Sequence, residues 1–368
     1  MKNLYRKIRE FSSLFSFVTF LVSFVSLILY LIVLNSVKFA DFFNHYLTLP
    51  IRQILAQTTS IFPFSLAETL LFSSPIWIFI LIKKGIKNAK NSMQSTVKFV
   101  LNVLSVLLII FITFVWTYSS GFYNSTIDKK LNLDVEKLSK NDLYDTSLVI
   151  IDNLNKLSED VIYDNTGASV MPYGYYRLSN EVYAAYERFE NDYEAIVNFK
   201  SLVKPIILSD SLTYTHISGI YTFFTGESNI NVNYPDFIVA SSAAHEMAHQ
   251  RGFARENEAN FVSFVVLSSS QDSFLKYSAY LDVYSEIMNS LYSADKELYA
   301  EAYSKLNEKV KGDLRSYSNF FQKYKDSTAA DVSNSINNSY LQANGQKDGI
   351  KSYGMIVDLT CAYLKSKK

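Results

Sequence analysis

The residues in this chain best suited to chemistry are His245-Glu246-Met247-Ala248-His249, an H-E-x-x-H pattern. On a helix, residues four apart leave the same face one turn apart. Two neutral imidazoles placed that way can hold one Zn²⁺ between them. Glu246 sits one residue past the first histidine, beside the metal but off the ligand line. From there it can act as general base toward a water that the metal acidifies.

The motif needs a helix that stops soon after it. Val239–His249 has no Pro or Gly and is rich in Ala, which favours a helix. Gly252 follows His249 by three residues and suits a helix stop with reversal. A second helix can start near Arg255 and run through apolar Phe261–Leu267. Its first turn carries Glu256 and Glu258, and the reversal can bring either carboxylate back as third ligand. Two residues apart on a helix, they point to nearly opposite sides and cannot both ligate. Asn260 lies four residues after Glu256, where it can bond a ligand histidine's free N–H. An H-E-x-x-H alone also arises by chance. Here only four histidines occur in the chain, two of them in the motif, with Gly252 and Glu256 at workable positions after it.

These residues resemble known families. Glu256-Asn257-Glu258-Ala259-Asn260 is similar to the E-x-x-A-D or E-x-x-A-N segment of gluzincin-type zinc peptidases. In that family the first glutamate is the third ligand, so the resemblance implies Glu256, with Glu258 as the alternative. The metzincin pattern is half present through Gly252, but Arg255 stands at its third-ligand position. A guanidinium cannot bind zinc. A longer stretch resembles an uncharacterised bacterial family, a domain of unknown function suspected of containing zinc metallopeptidases. The residues that carry this are Lys204-Pro205, Ile217-Ser218-Gly219-Ile220-Tyr221, Thr225-Gly226-Glu227 and HEMAHQRGFARENEANF, after an apolar start. The resemblance runs from the third apolar segment to about Tyr280 and implies a class, not a substrate.

Three apolar runs precede the motif, at about 14–34, 66–82 and 99–118. Each suits a transmembrane helix, and the first is expected to be an uncleaved anchor. Pro75 inside the second is expected to kink it, and Trp116 and Tyr118 suit the membrane–water boundary. Between the first two, residues 35–64 read as a loop with amphipathic pieces such as Phe39–Leu49, and His45 as a surface or interfacial residue. Lys83, Lys84, Lys87, Lys90 and Lys98 form a basic loop, and Lys2, Arg6, Lys7 and Arg9 a basic start. The positive-inside rule then places both in the cytoplasm and everything after Ser119 outside.

Net charge is zero, which argues against nucleic acid as a partner. Cys361 is the single cysteine, so no intramolecular disulfide can form. From Gly121 the composition turns soluble. Asn141–Asp160 has helical apolar spacing, and Ser179 can cap a second helix through about Phe199. Leu202–Leu208, Ile217–Phe224 and Ser228–Val232 read as strands, with Thr225-Gly226-Glu227 turning the last two into a hairpin. Its edge can take an extended peptide. His216, Tyr221, Tyr277 and Tyr280 are candidates to stabilise an oxyanion. Beyond Tyr280 the chain is polar and helical, with Ala294–Val310 and Ile350–Leu364 as helices and Gly312, Ser333–Asn344 and Gly345 as punctuation.

The sequence therefore implies a membrane-anchored α+β protein. Three N-terminal transmembrane helices fill 1–118, and a zincin-like metallopeptidase domain, mostly helical with a small sheet, fills 119–368. The expected activity is zinc-dependent peptide hydrolysis, with a lipid bilayer and an extracytoplasmic peptide or protein substrate as partners. Zn²⁺ is held by His245, His249 and Glu256, with Glu246 as base. The competing expectations are a non-catalytic bacterial envelope protein with a structural or relic zinc site, and a zinc amidase acting on cell-wall crosslinks.

Overall fold

The structure is a computed structural model that describes residues 12–193, 196–346 and 355–367. The basic residues 2–9 lie outside the described residues, as does the start of the expected helix at Ile350. The membrane part comprises α1 (Leu14–Asn35), α2 (Val37–Phe43), a π-helical turn (Asn44–Thr48), α3 (Leu49–Thr59), α4 (Leu66–Asn91) and α5 (Met93–Thr117). Helices α1, α4 and α5 are long and apolar enough to cross a membrane. Ser13 caps α1 through a reciprocal bond with Ser16. Ser16, Thr19, Ser23 and Ser26 form one buried stripe along α1, while Leu14, Phe17, Leu21, Phe24 and Leu31 face out. Small residues allow close approach between membrane helices, and Trp116 Nε1 of α5 donates to Ser26 Oγ at 3.0 Å.

Two sequence expectations change here. The lysine cluster is not a loop: Lys83, Lys84, Lys87 and Lys90 ride on the end of α4, and Lys98 on α5. Ser92 alone separates the two helices and caps α5 by accepting from Ser95 N. Lysine is a good helix former and complements a helix C-terminus, so the charge does not end α4. Pro75 does not end it either. The second change is that most of residues 35–64, from Val37 to Thr59, is helical rather than a loop, and packs under the rest of the chain.

The remainder begins with a 3₁₀ turn at Ser119–Phe122. It continues through α6 (Ile127–Lys130), α7 (Lys140–Leu157), β1 (Ile162–Tyr163), β2 (Ser169–Val170), α8 (Tyr175–Asp192) and β3 (Val203–Pro205). Next come α9 (Ser209–Thr213), β4 (Gly219–Thr222), β5 (Glu227–Ile230), α10 (Asp236–Gln250), α11 (Glu256–Ser268) and α12 (Ser273–Ala294). Last are α13 (Lys296–Ser304), α14 (Glu308–Gln322), α15 (Thr328–Ala343) and α16 (Ile356–Ser366). The molecule is mostly helical. Its main sheet has the order β3-β5-β4, with β3–β5 parallel and β4–β5 antiparallel. Thus β4 is an edge strand. Gly226 turns the hairpin at φ +71°.

The core is built on α10, α11 and α12, with Ala244, Met247, Phe261, Val265, Leu281 and Ile287 buried. Ser179 is not a cap. It lies inside α8, which starts at Tyr175 after Gly174, and its Oγ accepts from Val203 N at 3.0 Å, tying α8 to the sheet. Gly312 and Ser333–Ala343 fall within helices rather than breaking them. The expected helix Ala294–Val310 is split instead, at Asp295, whose carboxylate caps α13, and again at 305–307, where Asn307 caps α14; Gly345 does lie beyond the end of α15.

Candidate metal centre

The chain reverses between α10 and α11 through a Schellman turn. Gly252, at φ +104°, is the left-handed residue. Phe253 N bonds Ala248 O at 3.2 Å and Gly252 N bonds His249 O at 3.0 Å, the paired bonds that define this stop. The turn sends Glu256, the first residue of α11, back against the two histidines of α10. His245 Nε2 lies 3.3 Å from Glu256 Oε2, and His249 Nε2 lies 3.5 Å from the same oxygen. One donor atom from each of the three residues falls within 4.8 Å of the others.

The turn also fixes the second ring. His249 Nδ1 is 2.6 Å from Phe253 O. A carbonyl only accepts, so in the neutral ring Nδ1 carries the proton and Nε2 presents its lone pair to the cluster. Tyr118 Oη lies 3.1 Å from the same Nδ1. Tyr118 is the residue that ends α5, so the last turn of an apolar span reaches the histidine directly. Asn260 makes no hydrogen bond to either histidine among the described residues; the Phe253 carbonyl fills that role.

Glu258 points elsewhere. Its Oε1 accepts from Ile127 N at 3.0 Å and from Arg255 Nη1 at 2.7 Å. The near-opposite directions of residues two apart on a helix account for the split between Glu256 and Glu258.

Glu246 is buried against the edge strand. A Cβ added at Gly219 would sit 2.5 Å from Glu246 Oε1, so only glycine leaves room for that carboxylate. Burial raises the Glu246 carboxyl above its usual range; the two imidazoles and the Tyr221 backbone N–H oppose this. Burial also acts to raise Glu256, but His249 and His245 beside it more than reverse that and hold it strongly acidic. Burial disfavours the His249 imidazolium, yet Glu256 lifts it from 6.5 to about 9 in the metal-free protein.

The four oxyanion candidates separate. Tyr221 is at the site, its ring 5.3 Å from Tyr118 and 6.4 Å from His249. His216 is not: its Nε2 donates to Tyr324 O at 2.8 Å and its ring packs on Phe321. Tyr277 donates to Asp313 at 3.1 Å inside the core, and Tyr280 packs edge-on against Phe264. Three residues at the site carried no signal in the sequence. Tyr118 has the position of a membrane-boundary aromatic. Tyr340 of α15, 38 % exposed, has its phenol pushed up by burial and by Glu256. Arg52, fully buried, donates to Gln250 O at 3.1 Å, to Thr117 O at 2.7 Å and to Asn44 Oδ1 at 3.0 Å. It lies against Gly252, where any side chain would strike it.

No curated protein and no solved structure matches this chain. A family model described as a protein of unknown function matches residues 43–361, which takes in α3, both long helices after it, the sheet and the whole His245–His249–Glu256 cluster. The chain belongs to that family, DUF3810.

Proposed function

We propose that this protein is a membrane-anchored zinc-dependent peptidase. The observation that carries the reading is the convergence of His245, His249 and Glu256, with Glu246 alongside at the sheet edge. The donor set fits zinc. Ligands about 2.0–2.1 Å from a tetrahedral ion lie about 3.3 Å from one another, and the two histidine–glutamate separations are 3.3 and 3.5 Å. Three protein ligands leave one position open, as catalytic zinc requires.

His245, His249 and Glu256 would hold the ion. Bound zinc would supply Lewis acidity, acidifying water and polarising a carbonyl. Glu246 takes the proton of the attacking water and hands it to the leaving amine. The free edge of β4 holds an extended peptide by main-chain hydrogen bonds. Tyr340, the tyrosine near the cluster exposed enough to meet a substrate, supplies a neutral donor to the carbonyl oxygen. The basic start and the Lys83–Lys98 cluster put the amino terminus in the cytoplasm and the metal cluster outside.

Zinc content and peptide hydrolysis of the full-length protein in detergent test this. Wild type and Glu246→Gln should each hold about one zinc per chain, and only wild type should hydrolyse peptides. His245→Ala and Glu256→Ala should lose both. Zinc retained in His245→Ala would refute the ligand set. A zinc site closed by four protein ligands, with no hydrolysis of any amide, would leave a structural clamp.

A further inference from the structure

The helical segment between the first two spans turns large apolar side chains outward. Helix α2, the π turn and α3 run without a break from Val37 to Thr59, about 35 Å of helix at 1.5 Å per residue. The face turned into the protein is mixed: Thr48, Arg52 and Thr59 are buried there beside Ala40, Phe43, Leu49 and Ala56. The outer face carries large apolar side chains among exposed Lys38, His45 and Gln57. Phe42, Tyr46 and Ile54 are 51 %, 62 % and 64 % exposed, and Ile61 beyond them is 76 % exposed. A helix packed on a water-soluble protein turns such side chains inward.

The segment cannot turn that face inward. Near its start the Asp41 carboxylate takes Ser125 N at 2.8 Å and the Ser125 hydroxyl at 2.6 Å. In its middle Arg52 holds Thr117 O and Gln250 O. At its end Thr59 O accepts from the buried Lys204 Nζ at 2.8 Å. Contacts to the later part of the chain at both ends and the middle mean that it lies along that part's underside. It does not cross the membrane as a further span.

We propose that this outer face is embedded in the interfacial layer of the bilayer, with lipid as its occupant. The argument is continuity. The stripe starts where α1 ends, next to exposed Leu31 and Ile32, and stops where α4 begins, before exposed Leu70 and Leu71. Both neighbours belong to membrane-spanning helices, so the stripe bridges two surfaces that already face lipid. A helix lying flat with its apolar face sunk in the headgroup boundary is a known mode of membrane contact. Because Arg52 grips the end of α10, the lipid-facing segment also holds the metal cluster at the bilayer surface. This holds whether or not the cluster binds zinc.

The test uses the full-length chain in phosphatidylcholine vesicles. Single cysteines replace Phe42, Ile54 or Ile61 and carry a nitroxide label; native Cys361 is fully buried and stays unlabelled. Collision with oxygen, which concentrates in lipid, is compared with collision with a water-soluble nickel chelate. Leu71 on α4 and Ile336 on α15, 59 % and 66 % exposed, serve as lipid and water references. The expected oxygen-to-nickel ratio at all three positions is within about twofold of that at Leu71. A ratio matching Ile336 would place the stripe in water and overturn the proposal. Exclusion of both reagents, with dipolar broadening between chains, would identify a second copy as the occupant and overturn it equally.

Discussion

Glu227 and Glu256 are both carboxylates taken out of water, and they are held by opposite rules. Glu227 is saturated with donors: Lys204 Nζ at 2.9 Å, Leu66 N at 2.9 Å and Ala67 N at 3.0 Å. Its side chain and that of Lys204 are 0 % and 1 % exposed. The cluster locks the start of α4 to β3 and β5. Glu68, one turn into α4, answers by accepting from Ile207 N and Leu208 N at 2.9 Å. Glu256 instead faces two imidazoles, and the His249 ring, its Nδ1 committed to Phe253 O, can offer a lone pair at Nε2 once it is neutral. Its side chain keeps 12 % of its surface open. A structural charge is closed by donors. The Glu256 cluster is instead held, without metal, by a proton shared with His249, which a metal ion would have to displace.

That contrast is most easily broken at Lys204. Lys204→Met leaves a buried carboxylate with two amide donors and no countercharge. Stranding one partner of a buried pair costs about 3–5 kcal/mol, so the thermal unfolding midpoint in detergent should fall sharply. Lys204→Met with Glu227→Gln should recover most of it. Glu256→Gln should behave differently: it forfeits only the pairing with His249, so its loss of metal-free midpoint fades as pH rises through about 9, and it abolishes zinc uptake. Similar midpoint losses in Lys204→Met and Glu256→Gln would erase the distinction.

The next largest effect is expected at Gly219. A methyl there would press first on Glu246, whose Oε1, Cγ and Cδ are its three nearest neighbours. A misplacement of about 1 Å in a catalytic group costs on the order of 100-fold. Gly219→Ala should therefore keep its zinc and lose about that much in kcat. Loss of zinc in step with kcat would mean that β4 supports the ligands rather than the base.

The metal-free cluster also has a pH signature. The His249 pKa is raised on folding, so its contribution to stability is complete below pH 6.5 and is lost as pH rises through about 9. The Glu256 pKa is depressed, so its contribution is complete above 4.5 and is lost as pH falls well below that value. The chelator-treated protein should thus lose midpoint between pH 6.5 and 9, and His249→Gln should remove that slope. A wild-type slope no steeper than that of His249→Gln would show the pair to be uncoupled.

What the sequence made legible follows from how local each determinant is. The H-E-x-x-H helix, its glycine stop and the returning glutamate occupy Asp236–Ser268 and obey local rules of spacing and capping. The apolar spans were legible because their composition alone sets them. The Lys83–Lys98 and Ser333–Asn344 segments resist such a reading because charge and Ser/Asn content look like breakers, whereas helix packing tolerates both. Arg52 was invisible for a different reason. An arginine between two apolar runs has the look of a solvated loop charge, and only the fold brings it to Gln250, almost two hundred residues later. Ser179 reads as a cap because a local role is the one a sequence can suggest, yet its partner is a strand.

Tyr118 offers the smallest effect and the sharpest reading of how the membrane part touches the site. Its phenol shares the His249 Nδ1 proton with Phe253 O, which sits closer, at 2.6 Å against 3.1 Å. Removing a partner behind a ligand histidine typically costs 10–100-fold in metal affinity. Here the carbonyl remains and keeps the tautomer, so Tyr118→Phe should weaken zinc binding by about tenfold, the low end of that range. Competition with a chelator of known affinity measures it. Phe253 cannot be tested in the same way, because its contact is main chain, and this makes the tyrosine the accessible handle. An unchanged affinity would assign the whole role to the Schellman turn and leave Tyr118 as packing. A loss well beyond about 100-fold would mean that the end of α5 positions the ring itself, and that the span is part of the metal centre's framework rather than only its tether.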